Sequence, residues 1–242
     1  MKPFILMVLW GWATAGVGAM GDTEDPQQRS TKSWDLLAVK TLEIRGQVDF
    51  ELVAGPSPRV TVETTRALFD QLTVSNWWGA ATVAIESGLR GPRETGTVKV
   101  TIALPTLTGL TVSDSSNGKG VWPGDQGTIR VFDKSTVNLH LDGSTFSLET
   151  SWLTKVVLVG KVNQLQSVLR HQSHVDATKL TVEDAEVALD EESVYEAGPT
   201  NNASGTARHA SRVKVSDPQP WTGLVLREDS VREVRPSPLP SN

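Results

Sequence analysis

Cysteine is absent from all 242 residues, and tyrosine occurs once. Beyond one N-terminal run, no segment is apolar enough to span a bilayer. Without cysteine there can be no disulfide staple and no acylated anchor. An exported chain of this kind has to rest on burial and backbone hydrogen bonding, which favours a large sheet over a small cross-linked scaffold. An excess of positive charge is also missing: 23 Lys and Arg face 28 Asp and Glu, for a net charge of -5 and a pI near 5.4. Clustered cations are what neutralise phosphates, so a nucleic-acid partner is excluded, and there is no polybasic patch for an anionic membrane. Helical periodicity is nearly absent as well. Its best stretch, residues 64–72, offers one i, i+4 pair, Leu68 and Leu72, and a turn fits it equally well.

The ends of the chain differ from its middle. "MKPFILMVLWGWATAGVGA" has one Lys, an apolar run from Phe4 to Trp12 and small residues at Val17, Gly18 and Ala19. That layout predicts a signal peptide over residues 1–19, cleaved after Ala19. The run is short of the ~20 residues of a membrane span, so no transmembrane anchor is expected in the mature chain. Residues 20–37 read as a linker. Residues 218–242 carry five prolines and no clean period, and read as a Pro-rich, flexible tail. Export without cysteine suits the periplasm or cell exterior of a bacterium.

Between these ends, alternation dominates: "RVTVETT", "ATVAIES", "TVKVTIALP", "TIRVFD", "TVNLHLDG". Apolar residues at every second position, many of them β-branched, are the mark of strands with one buried face. In "VNLHL" this places Val137, Leu139 and Leu141 inside, with Asn138 and His140 outside. After Pro105 the pattern acquires a longer period. Alternating residues give way to a small polar cluster and then resume, about every 18 to 22 residues, in "LTVSDSSNGKG", "IRVFDKSTVNLHLDG", "SVLRHQSHVDATKL" and "VALDEESVYEAG". The expected fold is all-β: a short antiparallel N-terminal layer over residues that run on into a β-solenoid of about four or five coils. Ser113 to Asn117 then form a coil corner. Asn and Gly tolerate positive φ there, Asp and Ser bond their own backbone, and no chemistry is expected of them.

The same residues resemble the GIN domain family, also called the auto-transporter adhesin head domain. "LPTLTGLTVSDSSN" is similar to that family's LP-x-L-x-x-L-x-V-S-G-S-S-N stretch. "FELVAGPSPRVTVE" (50–63), "VDATKL" (175–180), "VYEAGPT" (194–200) and "ASRVKV" (210–215) resemble later segments in order. The resemblance covers about residues 38–217. The family's repeated Ser-Gly-Ser-Ser is altered here to "SDSS", "FDKST" and "RHQSH", with Asp114 where Gly is usual. The resemblance implies a right-handed β-solenoid-like fold, exported, with an adhesin-like role inferred from architecture.

Several groups of residues could carry chemistry. His171, His174 and Asp176 could share a metal, but zinc wants three or four converging ligands, and turn residues in a solvated corner account for them more simply. Residues 183–196 hold seven acids without the spacing of a calcium loop, and read as a solvated face. Glu149, Asp133 and Asp142 could project from one face as the carboxylate pair of a glycosidase or lyase, although nothing singles them out. No nucleophile elbow or phosphate loop occurs. Trp122 and Trp152 read as core or seam residues. Trp77 and Trp78, in "SNWWGA" between two strands, are the candidate binding residues. Alternation lets at most one of them reach the core, and an exposed indole is a stacking platform. No catalytic residue, metal or cofactor is expected. The leading reading is a non-enzymatic exported binding module for a cell-envelope component, glycan or protein ligand. The alternatives are a carbohydrate-active β-helix enzyme and a structural module of an envelope complex.

Overall fold

The computed structural model describes residues 28–85, 98–216, 221 and 223–235; the expected signal peptide lies outside them. Period-two alternation does become strand: about 70% of the described residues are β, wound as a solenoid of about six turns. In chain order the elements are β1 (Arg29–Asp35), β2 (Thr41–Arg45), β3 (Val48–Ala54), β4 (Arg59–Thr65), α1 (Arg66–Phe69), β5 (Leu72–Trp77), β6 (Ala80–Ile85) and β7 (Val98–Leu104). The repeat proper follows with β8 (Gly109–Val112), β9 (Asn117–Val121), β10 (Gln126–Phe132), β11 (Thr136–Ser151), β12 (Lys155–Leu169), β13 (His174–Leu189), β14 (Val194–Ala197), β15 (Thr200–Ala207), β16 (Arg212–Ser216), β17 (Gly223–Leu226) and β18 (Val231–Arg235).

Each coil has two arms joined by a tight corner, so the solenoid is flattened, with two faces. One face stacks β5, β6, β2, β8 and β10, then the second halves of β11, β12 and β13, then β15 and β17. The other stacks β1, β4, β7, β3 and β9, then the first halves of β11, β12 and β13, then β14, β16 and β18. Pairing along the repeat is parallel, with Thr136 beside Lys155 and Lys155 beside His174, and the register of β12 on β13 shifts once, between Val157 and Val159. Like positions of successive coils are therefore one strand spacing, about 4.8 Å, apart.

The stack is not assembled in chain order. β2 and β3 form a coil that sits between β6/β7 on one side and β8/β9 on the other. The intervening chain turns back and closes that end with antiparallel strands: β1 on β4, β4 on β7, and β5 on β6. This is the expected antiparallel layer, and it caps an end that a repeat array would otherwise leave open. The 64–72 stretch holds both a strand end and the single turn of α1, with Leu68 buried.

Alternation sets the core. Val137, Leu139 and Leu141 are buried and Asn138 and His140 exposed, as expected. Trp122 is buried too. Its indole rests on Gly127, where a Cβ would stand 2.1 Å from the ring, and it meets Phe146 edge-on at 5.7 Å.

Two boundary readings need correction. Residues 20–37, expected as a linker, contain β1, zipped to β4 from Arg29 opposite Thr65 to Asp35 opposite Arg59. Residues 218–242, expected as a flexible tail, carry a further coil, β17 and β18, and Trp221 is buried against Tyr195 at 6.3 Å. No proline falls within β17 or β18, so parallel pairing continues there. This coil adds to the four or five expected.

Candidate functional site

One corner of the solenoid repeats with unusual regularity. In every coil from β2/β3 onward, two successive residues take positive φ: Gly46–Gln47, Asp114–Ser115, Asp133–Lys134, Trp152–Leu153, His171–Gln172, Glu191–Glu192, His209–Ala210 and Glu228–Asp229. The second amide of each pair donates to the first carbonyl of the next coil, as Ser115 N to Asp133 O at 2.8 Å and Lys134 N to Trp152 O at 2.8 Å. The next position turns inward as a column of small hydroxyls: Ser116, Ser135, Thr154, Ser173, Ser193 and Ser211, all buried. Ser116 Oγ donates to Ser113 O at 2.8 Å, and its amide donates to Ser135 Oγ at 3.2 Å. The polar cluster at 113–117 is thus a corner, as expected. Ser115 and Ser116 are not equivalent, however: Ser116 is buried in the column and Ser115 lies exposed on the ridge.

The ridge places one residue of each pair above the next, and its composition changes along the stack. At the fourth pair stand Trp152 and Leu153, 56% and 51% exposed, both left-handed at φ 67 and 58. Trp152 is therefore not the core or seam residue expected. A large side chain in that region stores about 1 kcal/mol or more of strain, and Asp, Asn or Gly would stand there more easily. The ring of His171 lies flat against the indole, centroids 4.1 Å apart and planes 6° from parallel. His171 is itself fixed, with Nδ1 2.7 Å from Ser151 Oγ and Nε2 2.8 Å from Glu191 Oε2. Beyond it, His209 Nδ1 contacts Asp190, and Nε2 lies 2.8 Å from Glu228 Oε2. The hydrogen bond to Asp190 raises the His209 pKa, helped by the charge of Glu228; the same bond holds the Asp190 carboxyl below its ordinary value. Gln172 Nε2 donates to Glu192 Oε2 at 3.0 Å. Trp152, Leu153, His171, Gln172, Glu191, Glu192 and His209 line an open groove of about 550 Å³.

Trp77 and Trp78 form a second feature. Trp77 pairs with Ala80, so Trp78 and Gly79, at φ 53 and 84, make a two-residue turn of the kind that matches strand twist. The tip is tied down by Gly79 O, which accepts from Lys40 N at 2.6 Å and Thr41 N at 3.1 Å. Neither indole reaches the core: Trp77 is 64% and Trp78 91% exposed.

The other candidates are dispersed. His171 and His174 do not converge. His174 Nε2 approaches Glu196 Oε1 at 3.2 Å, while His171 belongs to the ridge. Among the described residues no three metal-ligating groups cluster. Glu149 stands between Arg130 and Arg170, each at 3.4 Å, whereas Asp133 sits on the ridge. The acids of 183–196 are distributed between coils rather than left as a bare face: Asp184 takes a bond from Asn202 at 2.8 Å and Glu186 one from Gln166 at 3.2 Å. The signal for this was present in the 18 to 20 residue offset between partners such as Ser115 and Asp133, or Ser151 and His171. It becomes readable only once the coil register is known.

Comparison with known proteins follows the same lines. The family model described as "Putative auto-transporter adhesin, head GIN domain" matches residues 39–217. A solved "putative adhesin" from Bacteroides fragilis superposes with TM-score 0.70 at 12% identity, covering 87% of this chain and 97% of that one. A "putative lipid binding protein" from Parabacteroides distasonis gives 0.63 at 12%, over 86% and 96%. A "putative adhesin" from Parabacteroides merdae gives 0.59 at 12%, over 86% and 96%. At such identity these three share the fold alone. No curated protein matches the sequence.

Proposed function

Starting from the fact that this chain belongs to the GIN head-domain family, we propose that it is an exported, non-enzymatic binding module that presents a rigid β surface to a partner at the cell envelope or on another cell. The observation that carries this reading is the Trp77–Trp78 tip. Two adjacent, largely exposed indoles on a backbone-anchored turn supply flat contact area at little entropic expense, which is how aromatic hot spots work. The non-enzymatic part is supported by Glu149, whose carboxylate faces an arginine on either side. A carboxylate ion-paired on both sides has to give up a partner before it can reach a substrate oxygen.

The test uses the purified chain on a glycan array and in pull-downs from envelope fractions, beside the Trp77→Ala/Trp78→Ala double variant. Capture by the native chain and its loss in the double variant are expected. Equal capture by both would remove the tip as the contact, and reducing ends released from a polysaccharide substrate would overturn the non-enzymatic reading. Export is tested by N-terminal sequencing in the native host, where a start near Met20 is expected and an intact Met1 on cytoplasmic protein would refute it.

A further inference from the structure

We propose that the groove on the corner ridge, centred on Trp152, is a second binding site, and that its ligand is an uncharged oligosaccharide. It is separate from the Trp77–Trp78 tip and does not depend on it.

Four observations point the same way. First, Trp152–Leu153 is the one left-handed pair among the described corners made of two large apolar residues, and both are half exposed. The other pairs show that small or polar residues satisfy the corner. Strain combined with apolar exposure has no architectural use here, and such strain collects at ligand sites. Second, the indole is preorganised. His171 backs it at 4.1 Å, and Ser151 and Glu191 hold His171 from either side, so little freedom is lost when a ring stacks on Trp152. Third, Gln172 and Glu192 meet at 3.0 Å on the same groove wall. An amide and a carboxylate side by side offer a donor and acceptors at the spacing of neighbouring hydroxyls. Fourth, the imidazoles of the ridge are already engaged, His171 with Glu191 and His209 with Asp190 and Glu228. The groove wall carries Glu191 and Glu192 but no lysine or arginine, so an anionic ligand would meet repulsion. A ligand with one apolar face, a hydroxyl-rich rim and no charge is a pyranose. The groove runs along the stack, with side chains recurring about every 4.8 Å, which suits an extended chain of sugars over a compact ligand.

The experiment titrates the full chain with cellotetraose, chitotetraose and maltotetraose, following indole N–H resonances by NMR and affinity by calorimetry. The Trp152 signal is assigned as the one missing from the Trp152→Phe spectrum. A heparin tetrasaccharide serves as the anionic comparison. At least one neutral sugar should shift the Trp152 resonance. Trp152→Ala should weaken its binding about tenfold or more, the loss of one stacked aromatic; Trp152→Phe should retain part of it, and Trp77→Ala/Trp78→Ala should leave it unchanged. Absence of any shift with all three sugars, undiminished binding by a folded Trp152→Ala, or tighter binding of the heparin fragment would each overturn the proposal. Loss of binding only in the Trp77→Ala/Trp78→Ala variant would do the same, while leaving the tip reading intact.

Discussion

Ser116 and Ser135 occupy the same place in successive coils, and the amide of Ser116 donates to the hydroxyl of Ser135 across 3.2 Å. The relation recurs further along the column, with Ser193 N to Ser211 Oγ and Ser211 N to Ser230 Oγ, both at 3.2 Å. At these positions the hydroxyl satisfies a corner amide that the strand ladders do not reach, whereas at the middle of the column Thr154 Oγ1 donates to Ser173 Oγ at 3.1 Å.

Ser116→Ala should lower stability by about 1–2 kcal/mol, because it removes a buried hydroxyl that bonds Ser113 O and receives Val48 N. Ser115→Ala, on the exposed ridge, should stay within roughly 0.5 kcal/mol. Urea melts of the two variants decide it; equal losses would mean that the column is not what holds the corner.

Leu139 is buried in the middle of the stack and His140 faces water. Leu139→Asp should cost several kcal/mol through an unpaired buried charge, with about 0.5 kcal/mol or less for His140→Asp. Similar shifts in thermal midpoint for both would contradict the register.

The His209–Asp190 pair should make stability depend on pH. The His209 pKa is raised by its bond to Asp190, so its contribution is full below the unfolded value of about 6.5 and is lost as pH rises through the folded value. Asp190 is lowered, so its share is present above about 3.9 and lost as pH falls through the folded value. The midpoint difference between the native chain and His209→Gln should be greatest between about pH 4 and 6.5, and should shrink towards about pH 9. A difference constant over that range would refute the pairing. Solvent exposure keeps the effect modest.

Trp221 lies in what the composition presents as a tail, yet its ring is buried beside Tyr195. Burial in the same region pushes the Tyr195 phenol upward. Trp221→Ala should destabilise the protein by about 3 kcal/mol, and removal of residues 218–242 should do so at least as strongly. An unchanged melting curve after truncation would restore the reading of a dispensable tail.

The fold was legible because parallel stacking imposes one rule on every coil. In "VNLHL" an inward residue must be apolar and its neighbour polar, and the corner must return after about as many residues as a coil contains. Those constraints are written along the chain, so the all-β class, the solenoid and the Ser113–Asn117 corner could be read from it. Trp122 was legible for the same reason, with small and apolar residues around it.

What the linear pattern could not contain is which residues become neighbours across coils. Trp152 touches His171, and His209 touches Asp190 and Glu228, through a register that a shift of one residue would abolish. The placement of β2/β3 between β6/β7 and β8/β9 likewise came from strand pairing, since nothing in the order of the chain announces it. The sequence by itself determined that the chain would wind into a β-solenoid, because alternation and corner chemistry are local. Only the tertiary structure decided that a tryptophan suited to the core would stand on the ridge, because burial depends on where the corner falls within the coil.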